Sequence, residues 1–66
     1  MAVLKVIELL SSSPSSWEEA AQNAVSEASK TVKNIRSCYV KEQTAIVKDG
    51  NITEYRVNVK VTFAVD

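Results

Sequence analysis

The sequence has no histidine and only one cysteine, one glycine and one proline among its 66 residues. Without histidine it lacks the usual general base at neutral pH. A single cysteine, Cys38, allows neither an internal disulfide nor a zinc site of the cysteine and histidine type. The only glycine, Gly50, leaves no glycine-rich loop to hold a phosphate group. We therefore predict that the protein is not an enzyme.

Excess charge and long apolar runs are also missing. Eight Lys and Arg balance eight Asp and Glu, so the chain lacks the basic surface that phosphate neutralisation requires, and we expect no nucleic-acid partner. No stretch is long enough to span a bilayer. Residues 1–10, "MAVLKVIELL", show neither the basic start nor the cleavage site of a signal peptide. These absences predict a cytoplasmic protein without a membrane partner.

What the sequence does contain is enough apolar residues for one small domain, residues 1–66. A chain of this length buries only roughly 60% of its extended surface on folding. Disulfides, a structural metal or self-association usually supply the missing stability in such small domains. Because the first is excluded and zinc ligands are absent, self-association is the remaining source of stability.

The periodicity of the apolar residues predicts the elements of the fold. Residues 2–10 have the β-branched and leucine content of a strand. An apolar stripe of mostly alanine predicts a helix from about 16 to about 35, with Ser16 and Glu19, or Ser15 and Glu18, as its capping box. Basic residues near its end suit the negative end of the helix dipole. These are Lys30, Lys33 and Arg36.

The last thirty residues predict a β-hairpin, since Asp49-Gly50 is the signature of a two-residue turn. Counting outward from Lys48 opposite Asn51 predicts a register in which one face is apolar and the other polar. On the apolar face the predicted pairs are Thr44 with Tyr55, Glu42 with Val57, Val40 with Val59 and Cys38 with Val61. On the polar face they are Ala45 with Glu54, Gln43 with Arg56, Lys41 with Asn58, Tyr39 with Lys60 and Ser37 with Thr62.

The element order predicts an α+β fold of the type β-α-β-β, with a three-stranded antiparallel sheet in the order 1-3-2 around one helix. Residues 53–65, "TEYRVNVKVTFAV", form the central strand and alternate apolar with polar residues. That strand spans about 43 Å and the predicted helix about 30 Å. The helix is too short to cover the apolar stripe, so we expect other copies of the chain to cover the rest.

The order of elements, "VKE" at residues 40–42 and "EYRVNVKVTF" at residues 54–63 together resemble the dodecin family. The similarity covers essentially the whole chain. It implies a strongly bent sheet that half wraps the helix, and twelve copies assembled as a hollow homododecamer of cubic symmetry. It also implies flavins bound in pairs on tryptophans at two-fold axes, in a storage or buffering role.

The resemblance places the family's flavin contacts on Ser37, Thr44, Arg56 and Ala64. In the family a stacking tryptophan stands at the position of Ser37 and a glutamine at that of Arg56, with arginines at the other two in bacterial members. A serine hydroxyl cannot replace the stacking ring, and arginine donates hydrogen bonds but accepts none. We therefore expect FMN or riboflavin to bind weakly.

Residues 13–21, "SPSSWEEAA", look more like the calcium dodecins, a branch that lacks the flavin determinants. Calcium binds six to eight oxygen ligands, and no loop here has the spacing of an EF-hand. Copies of one carboxylate can instead meet at a symmetry axis. The available carboxylates are Glu8, Glu18, Glu19, Asp49 and Glu54. Weak flavin binding, calcium or other metal binding, and a purely structural assembly remain the alternatives.

Four single residues have two interpretations each. Trp17 either fastens the helix to the sheet, which we favour, or stacks on a ligand. Cys38 is a small hydrophobe rather than a reactive thiol. Tyr39 is part of a polar interface face or a partial substitute for the missing tryptophan. Glu42, placed on the apolar face, either pairs with a basic residue of a neighbouring copy, which we favour because an unpaired buried carboxylate is costly, or has a catalytic role.

Overall fold

The structure is a computed structural model that describes residues 3–65, so Ala2, where the first predicted strand begins, lies outside the described residues. Its elements are β1 (Val3–Ser13), α1 (Trp17–Ala28), β2 (Ile35–Lys48) and β3 (Asn51–Val65). β3 pairs antiparallel with both other strands, which gives the sheet order β1-β3-β2. The predicted β-α-β-β fold with strand order 1-3-2 is confirmed.

β1 continues past its predicted end at residue 10, through the serines to Ser13. The extra residues pair with β3 as far as Ser13 opposite Tyr55, so ladder hydrogen bonds override the turn preference of serine. Ser13 is buried, and its hydroxyl oxygen accepts hydrogen bonds from the backbone N–H groups of Ser15 and Ser16. The turn therefore starts at Pro14.

The start of α1 agrees with the prediction. Ser16 is the N-cap, and its side-chain oxygen accepts a hydrogen bond from the backbone N–H of Glu19 at 3.0 Å. The Glu19 carboxylate does not close the predicted capping box, because it accepts a hydrogen bond from the Ser13 hydroxyl instead. Of the two predicted caps, the structure selects Ser16.

The predicted end of the helix at about residue 35 is wrong, since α1 ends at Ala28. A turn follows, and Asn34 adopts a positive φ of 63° before β2 begins at Ile35. The last turn of α1 contains no basic residue. The physical reason is competition with the sheet: Ile35 pairs with Phe63, and the Asn34 carbonyl accepts a hydrogen bond from the Ala64 N–H. The helical spacing therefore continues into residues that belong to the sheet.

The core is a thin layer between α1 and the inner face of the sheet. Alanines on one stripe of α1 lie against three fully buried valines of β3, and small side chains let the helix approach the sheet closely. Each buried valine contributes roughly 1.5–3 kcal/mol relative to an exposed one. The core residues are Ala20, Ala24, Ala28, Val57, Val59 and Val61.

The hairpin turn is as predicted, with φ of 52° at Asp49 and 78° at Gly50 and with Lys48 opposite Asn51. The register is not uniform, because irregularities lie between Ile46 and Val47, between Val40 and Glu42 and, at the start of β2, between Ile35 and Ser37. The predicted pairs Val40 with Val59, Cys38 with Val61, Tyr39 with Lys60 and Ser37 with Thr62 are confirmed. The five predicted pairs between the irregularities are wrong, because a first bulge shifts the register by one residue and a second restores it.

The shift corrects the placement of Glu42. It lies opposite Asn58 and is exposed, so it does not face the apolar layer and needs no buried partner there. Gln43 takes the place opposite Val57. A one-residue slip moves each side chain to the other face of the sheet, which explains the exchange.

The described chain measures 51 × 19 × 13 Å, so it is long and thin. β3 has 15 residues and α1 only 12. The hairpin therefore extends beyond the helix further than the sequence predicted. Neither α1 nor any other helix within residues 3–65 is long and apolar enough to cross a membrane.

Candidate functional site

The face of the sheet that points away from α1 contains the candidate site, and we call it the outer face. It is formed by Arg56, Asn58, Lys60, Thr62 and Ala64 of β3 together with the residues opposite them on β1 and β2. Successive side chains of a strand point to opposite faces, so these residues alternate with the buried valines. No helix within residues 3–65 covers this face.

The register places all four predicted flavin positions on the outer face. Thr44 lies directly opposite Arg56, and Ser37 lies opposite Thr62, with Ala64 two residues further along β3. The six residue-to-residue steps from Arg56 to Thr62 span about 20 Å. The structure therefore brings Thr44 together with Arg56 and Ser37 near Ala64, but it leaves the two pairs far apart within one chain. The predicted pairing of Arg56 with Gln43 is wrong for the reason given above.

An ion pair crosses the outer face near its middle. The Lys41 Nζ atom lies 3.7 Å from a Glu8 carboxylate oxygen, and both side chains are about half exposed. Glu8 belongs to β1 and Lys41 to β2, so the pair bridges over the central strand β3. Such an exposed pair contributes at most about 1 kcal/mol. Arg56 is exposed and lies two residues from Asn58 along β3.

Asn58 stands out among the polar residues of this face. Its Oδ1 atom is buried and has no hydrogen-bond partner in the structure. It lies between Leu10 of β1 and Glu42 of β2. A buried acceptor without a donor costs roughly 1–3 kcal/mol. Sequence reasoning treated Asn58 as an ordinary polar residue of an alternating strand, and no sequence signal distinguishes it.

Trp17 is engaged with the sheet, as the favoured interpretation predicted. Its ring contacts Tyr55 edge to face with centroids 4.9 Å apart, and its indole N–H donates to the Thr44 carbonyl at 3.3 Å. Beside it, between α1 and β2, lies an open pocket of about 180 Å³ on the inner side of the sheet. The pocket is lined by Trp17, Glu18, Ala21, Val40, Gln43 and Val57.

The carboxylates of residues 3–65 do not converge on one point. No group of three or more His, Cys, Asp or Glu side chains that could hold a metal ion occurs within residues 3–65. Glu8 is paired with Lys41. Side-chain hydrogen bonds from Ser13 and, to a smaller extent, from Ser15 lower the pKa of the Glu19 carboxyl. Any cation bound through carboxylates therefore needs backbone oxygens or residues from more than one chain.

The two remaining candidates, Cys38 and Tyr39, lie on opposite faces of β2. Cys38 is partly buried against the core, and this burial raises the pKa of its thiol above the ordinary value. That placement fits a small hydrophobe better than a nucleophile, which requires a lowered pKa. Tyr39 lies on the outer face opposite Lys60 with 63% of its surface exposed. It is therefore free to contact a ligand or another copy of the chain.

Comparison with known proteins gives consistent results. The family model described as Dodecin matches residues 3–66. The calcium dodecin of Mycobacterium tuberculosis is 41% identical over 63 residues, which is 96% of this chain and 89% of that protein. Its crystal structure, described as a calcium-chelating antigen with a novel calcium-binding site, has a TM-score of 0.84 at 39% identity and covers 97% of this chain and 91% of its own.

A second solved structure lies closer in shape though further in sequence. Dodecin from Streptomyces davaonensis has a TM-score of 0.93 at 29% identity, and the alignment covers 98% of this chain and 96% of that chain. The family match spans nearly the whole chain, and the strand order agrees with it. The chain therefore belongs to the dodecin family.

Proposed function

We propose that this chain is a non-catalytic binding and storage protein that assembles into a hollow homododecamer in the cytoplasm. Its ligand lies between copies of the chain rather than within one. The family membership supports a binding role, and the separation of Thr44 and Arg56 from Ser37 and Ala64 supports a site completed by neighbouring copies.

One observation carries the assembly: the outer face exposes large apolar side chains. Leu4 is 54% exposed, Val6 is 56% exposed and Leu10 is 71% exposed, and Tyr39 lies on the same face. Contiguous exposed apolar surface marks interaction sites on soluble proteins. A chain this small also has little stability of its own. Covering this face with further copies supplies the missing burial.

Native mass spectrometry of freshly purified protein tests the assembly and reports retained ligand at the same time. Twelve chains of 7.2 kDa give a particle of about 86 kDa. Light scattering at several dilutions provides an independent measurement of mass. A monomer or simple dimer at micromolar concentration contradicts the proposal.

We propose that the protein binds flavin only weakly. Ser37 provides no ring for stacking, and stacking supplies much of the contact area with an isoalloxazine. Tyr39, two residues away on the same face, is the one exposed aromatic side chain of the described outer face. Purified protein without the yellow absorbance of flavin is the expected result. Restoring the ring with Ser37→Trp should strengthen riboflavin binding measured by fluorescence quenching, with Ser11→Trp on the inner face as the control.

Calcium is the second candidate, favoured by the 41% identical relative that is named a calcium dodecin. The positions of the carboxylates narrow the choice of ligands. Glu18 and Glu19 lie in the first turn of α1, where the positive end of the helix dipole repels a cation. Glu8 is paired with Lys41. The hairpin carboxylates Asp49 and Glu54 are the stronger candidates.

Calorimetric titration with calcium tests this second candidate. Heat at millimolar calcium that disappears in Asp49→Asn or Glu54→Gln supports a site at the hairpin. The matched control is Glu27→Gln, because Glu27 is exposed and forms an ion pair with Lys30 in the turn that follows α1. If the wild-type protein gives no heat, calcium is excluded as a ligand. Flavin binding and a structural assembly then remain to be tested.

A further inference from the structure

We infer that Asn58 is a contact between copies of this chain: its buried Oδ1 atom receives a hydrogen bond from a second copy packed on the outer face. This rests on the proposed self-assembly and names a residue that fixes how copies align. The observation behind it is that Asn58 Oδ1 is buried yet has no donor within the described chain.

Donors within the chain do not satisfy this atom. Lys41, which reaches over β3 from the facing strand, is paired with Glu8. The residue opposite Asn58 on β1 is Leu10, which has no polar side-chain atom. The residue opposite it on β2 is Glu42, whose carboxylate accepts hydrogen bonds but has none to donate when ionised. Within residues 3–65 no donor reaches this atom, and we assign the missing donor to a second copy.

A second copy is the partner that this face fits. Exposed apolar side chains lie beside Asn58 on β1, with Leu10 directly opposite it and Val6 further along the strand. When Glu54, the next outward position of β3 beyond Arg56, is included, the face also carries as many acidic as basic side chains, so acidic groups of one copy can meet basic groups of another rotated onto it. These charged residues are Glu8, Glu42 and Glu54 with Lys41, Arg56 and Lys60. Binding to nucleic acid or to another acidic surface would require an excess of basic side chains.

The exposed neighbours leave room for such a contact. Leu10 is 71% exposed, and Glu42 and Arg56 are also exposed, so these side chains can rearrange when another copy covers the face. A buried polar atom that must find a partner favours the alignment in which its hydrogen bond is made. Apolar contacts alone would accept several alignments. Asn58 thus sets the number and arrangement of copies, whereas the leucines and valines supply most of the burial.

The test compares Asn58→Val with Asn58→Thr by native mass spectrometry and by dilution series in light scattering. Valine and threonine have nearly the same shape and both suit a strand, but only threonine keeps an acceptor oxygen. We expect Asn58→Thr to retain the wild-type particle. Asn58→Val should give mixed stoichiometries or dissociate at a protein concentration at least about tenfold higher, because the neighbour's donor is left unpaired. Asn23→Val on the exposed side of α1 serves as the control.

The outcomes separate this inference from the proposed function. A wild-type monomer overturns both. A wild-type dodecamer with identical particles for the valine and threonine variants overturns only the role of Asn58. If Asn58→Val precipitates, Asn58→Leu provides the test, because leucine has nearly the size of asparagine but no acceptor. It should dissociate at a protein concentration at least about tenfold higher than Asn58→Thr, and equal dissociation of the two variants contradicts the inference.

Discussion

Replacing Trp17 distinguishes a residue that fastens the helix from a ring that binds a ligand. Trp17 is the only tryptophan. It contacts Tyr55 edge to face at 4.9 Å between centroids and donates a hydrogen bond to the Thr44 carbonyl at 3.3 Å. These contacts join α1 to both strands of the hairpin. Trp17→Ala removes all of them, whereas Trp17→Phe keeps a ring and removes the indole donor.

The expected losses follow from those contacts. An edge-to-face pair contributes about 0.5–1.5 kcal/mol beyond its buried area. Losing a half-buried aromatic side chain costs roughly another 1.5 kcal/mol, and a long, exposed hydrogen bond adds about 0.5 kcal/mol. Trp17→Ala should therefore lower the free energy of unfolding by about 2.5–3.5 kcal/mol and Trp17→Phe by about 1 kcal/mol. A domain of this length has roughly 3–10 kcal/mol in total.

Guanidinium unfolding followed by circular dichroism measures these losses without needing tryptophan fluorescence. Protein concentration is held constant, because assembly makes apparent stability depend on it. A double-mutant cycle with Tyr55→Ala isolates the ring pair and should give a coupling of about 0.5–1.5 kcal/mol. A coupling near zero, or a Trp17→Ala protein of wild-type stability that has lost ligand binding, would refute the fastening role.

The remaining predictions concern the turn, the serine cap and the thiol. Gly50→Ala should lower unfolding stability by about 1 kcal/mol, because φ at this position is 78° and a side chain is strained there; an unchanged midpoint contradicts this. Ser13→Ala should raise the Glu19 pKa, which the Ser13 hydrogen bond lowers. A lowered carboxyl pKa stabilises the fold above the unfolded pKa, and this contribution is lost as pH falls through the folded pKa. The stability difference between wild type and Ser13→Ala should therefore shrink on acidification, and a difference independent of pH contradicts the linkage. Cys38 should react with a thiol reagent more slowly in the folded protein than after unfolding, since burial raises its pKa; equal rates contradict this.

Local chemistry made several features of the fold predictable. The Ser16 cap, the Asp49-Gly50 turn and the alternation of β3 each depend on residues within a few positions of one another, and the structure has all three. The strand order followed from the lengths of the connections and their handedness. The cap, the turn and the alternation therefore follow from residues that are close together in the sequence.

The end of the helix depended on distant residues. Val32 and Ile35 continue the apolar spacing of α1, and both pack against the core. Val32 does so from the turn and Ile35 from the start of β2. Whether such residues extend a helix or start a strand is decided by pairing with Phe63, nearly thirty residues away. Apolar periodicity alone cannot make that distinction.

The candidate site was predictable in its residues and not in its geometry. Family resemblance selected Thr44 and Arg56, yet the straight register predicted from the turn put Thr44 opposite Tyr55, on the face against the helix. In the structure Thr44 faces Arg56 on the outer face. A bulge between Ile46 and Val47 causes this change.

The two bulges therefore determine the chemistry of the middle of the sheet. From Glu42 to Ala45 the β2 side chains lie on the face opposite to the predicted one, so Glu42 and Thr44 join the outer face and Gln43 lines the inner pocket. From Ser37 to Val40 the register set by the turn holds, which keeps Cys38 against the core. A hairpin without bulges would bury Glu42 and separate Thr44 from Arg56. The outer face can act as a binding and assembly surface because these irregularities place its polar residues there while leaving the valine core intact.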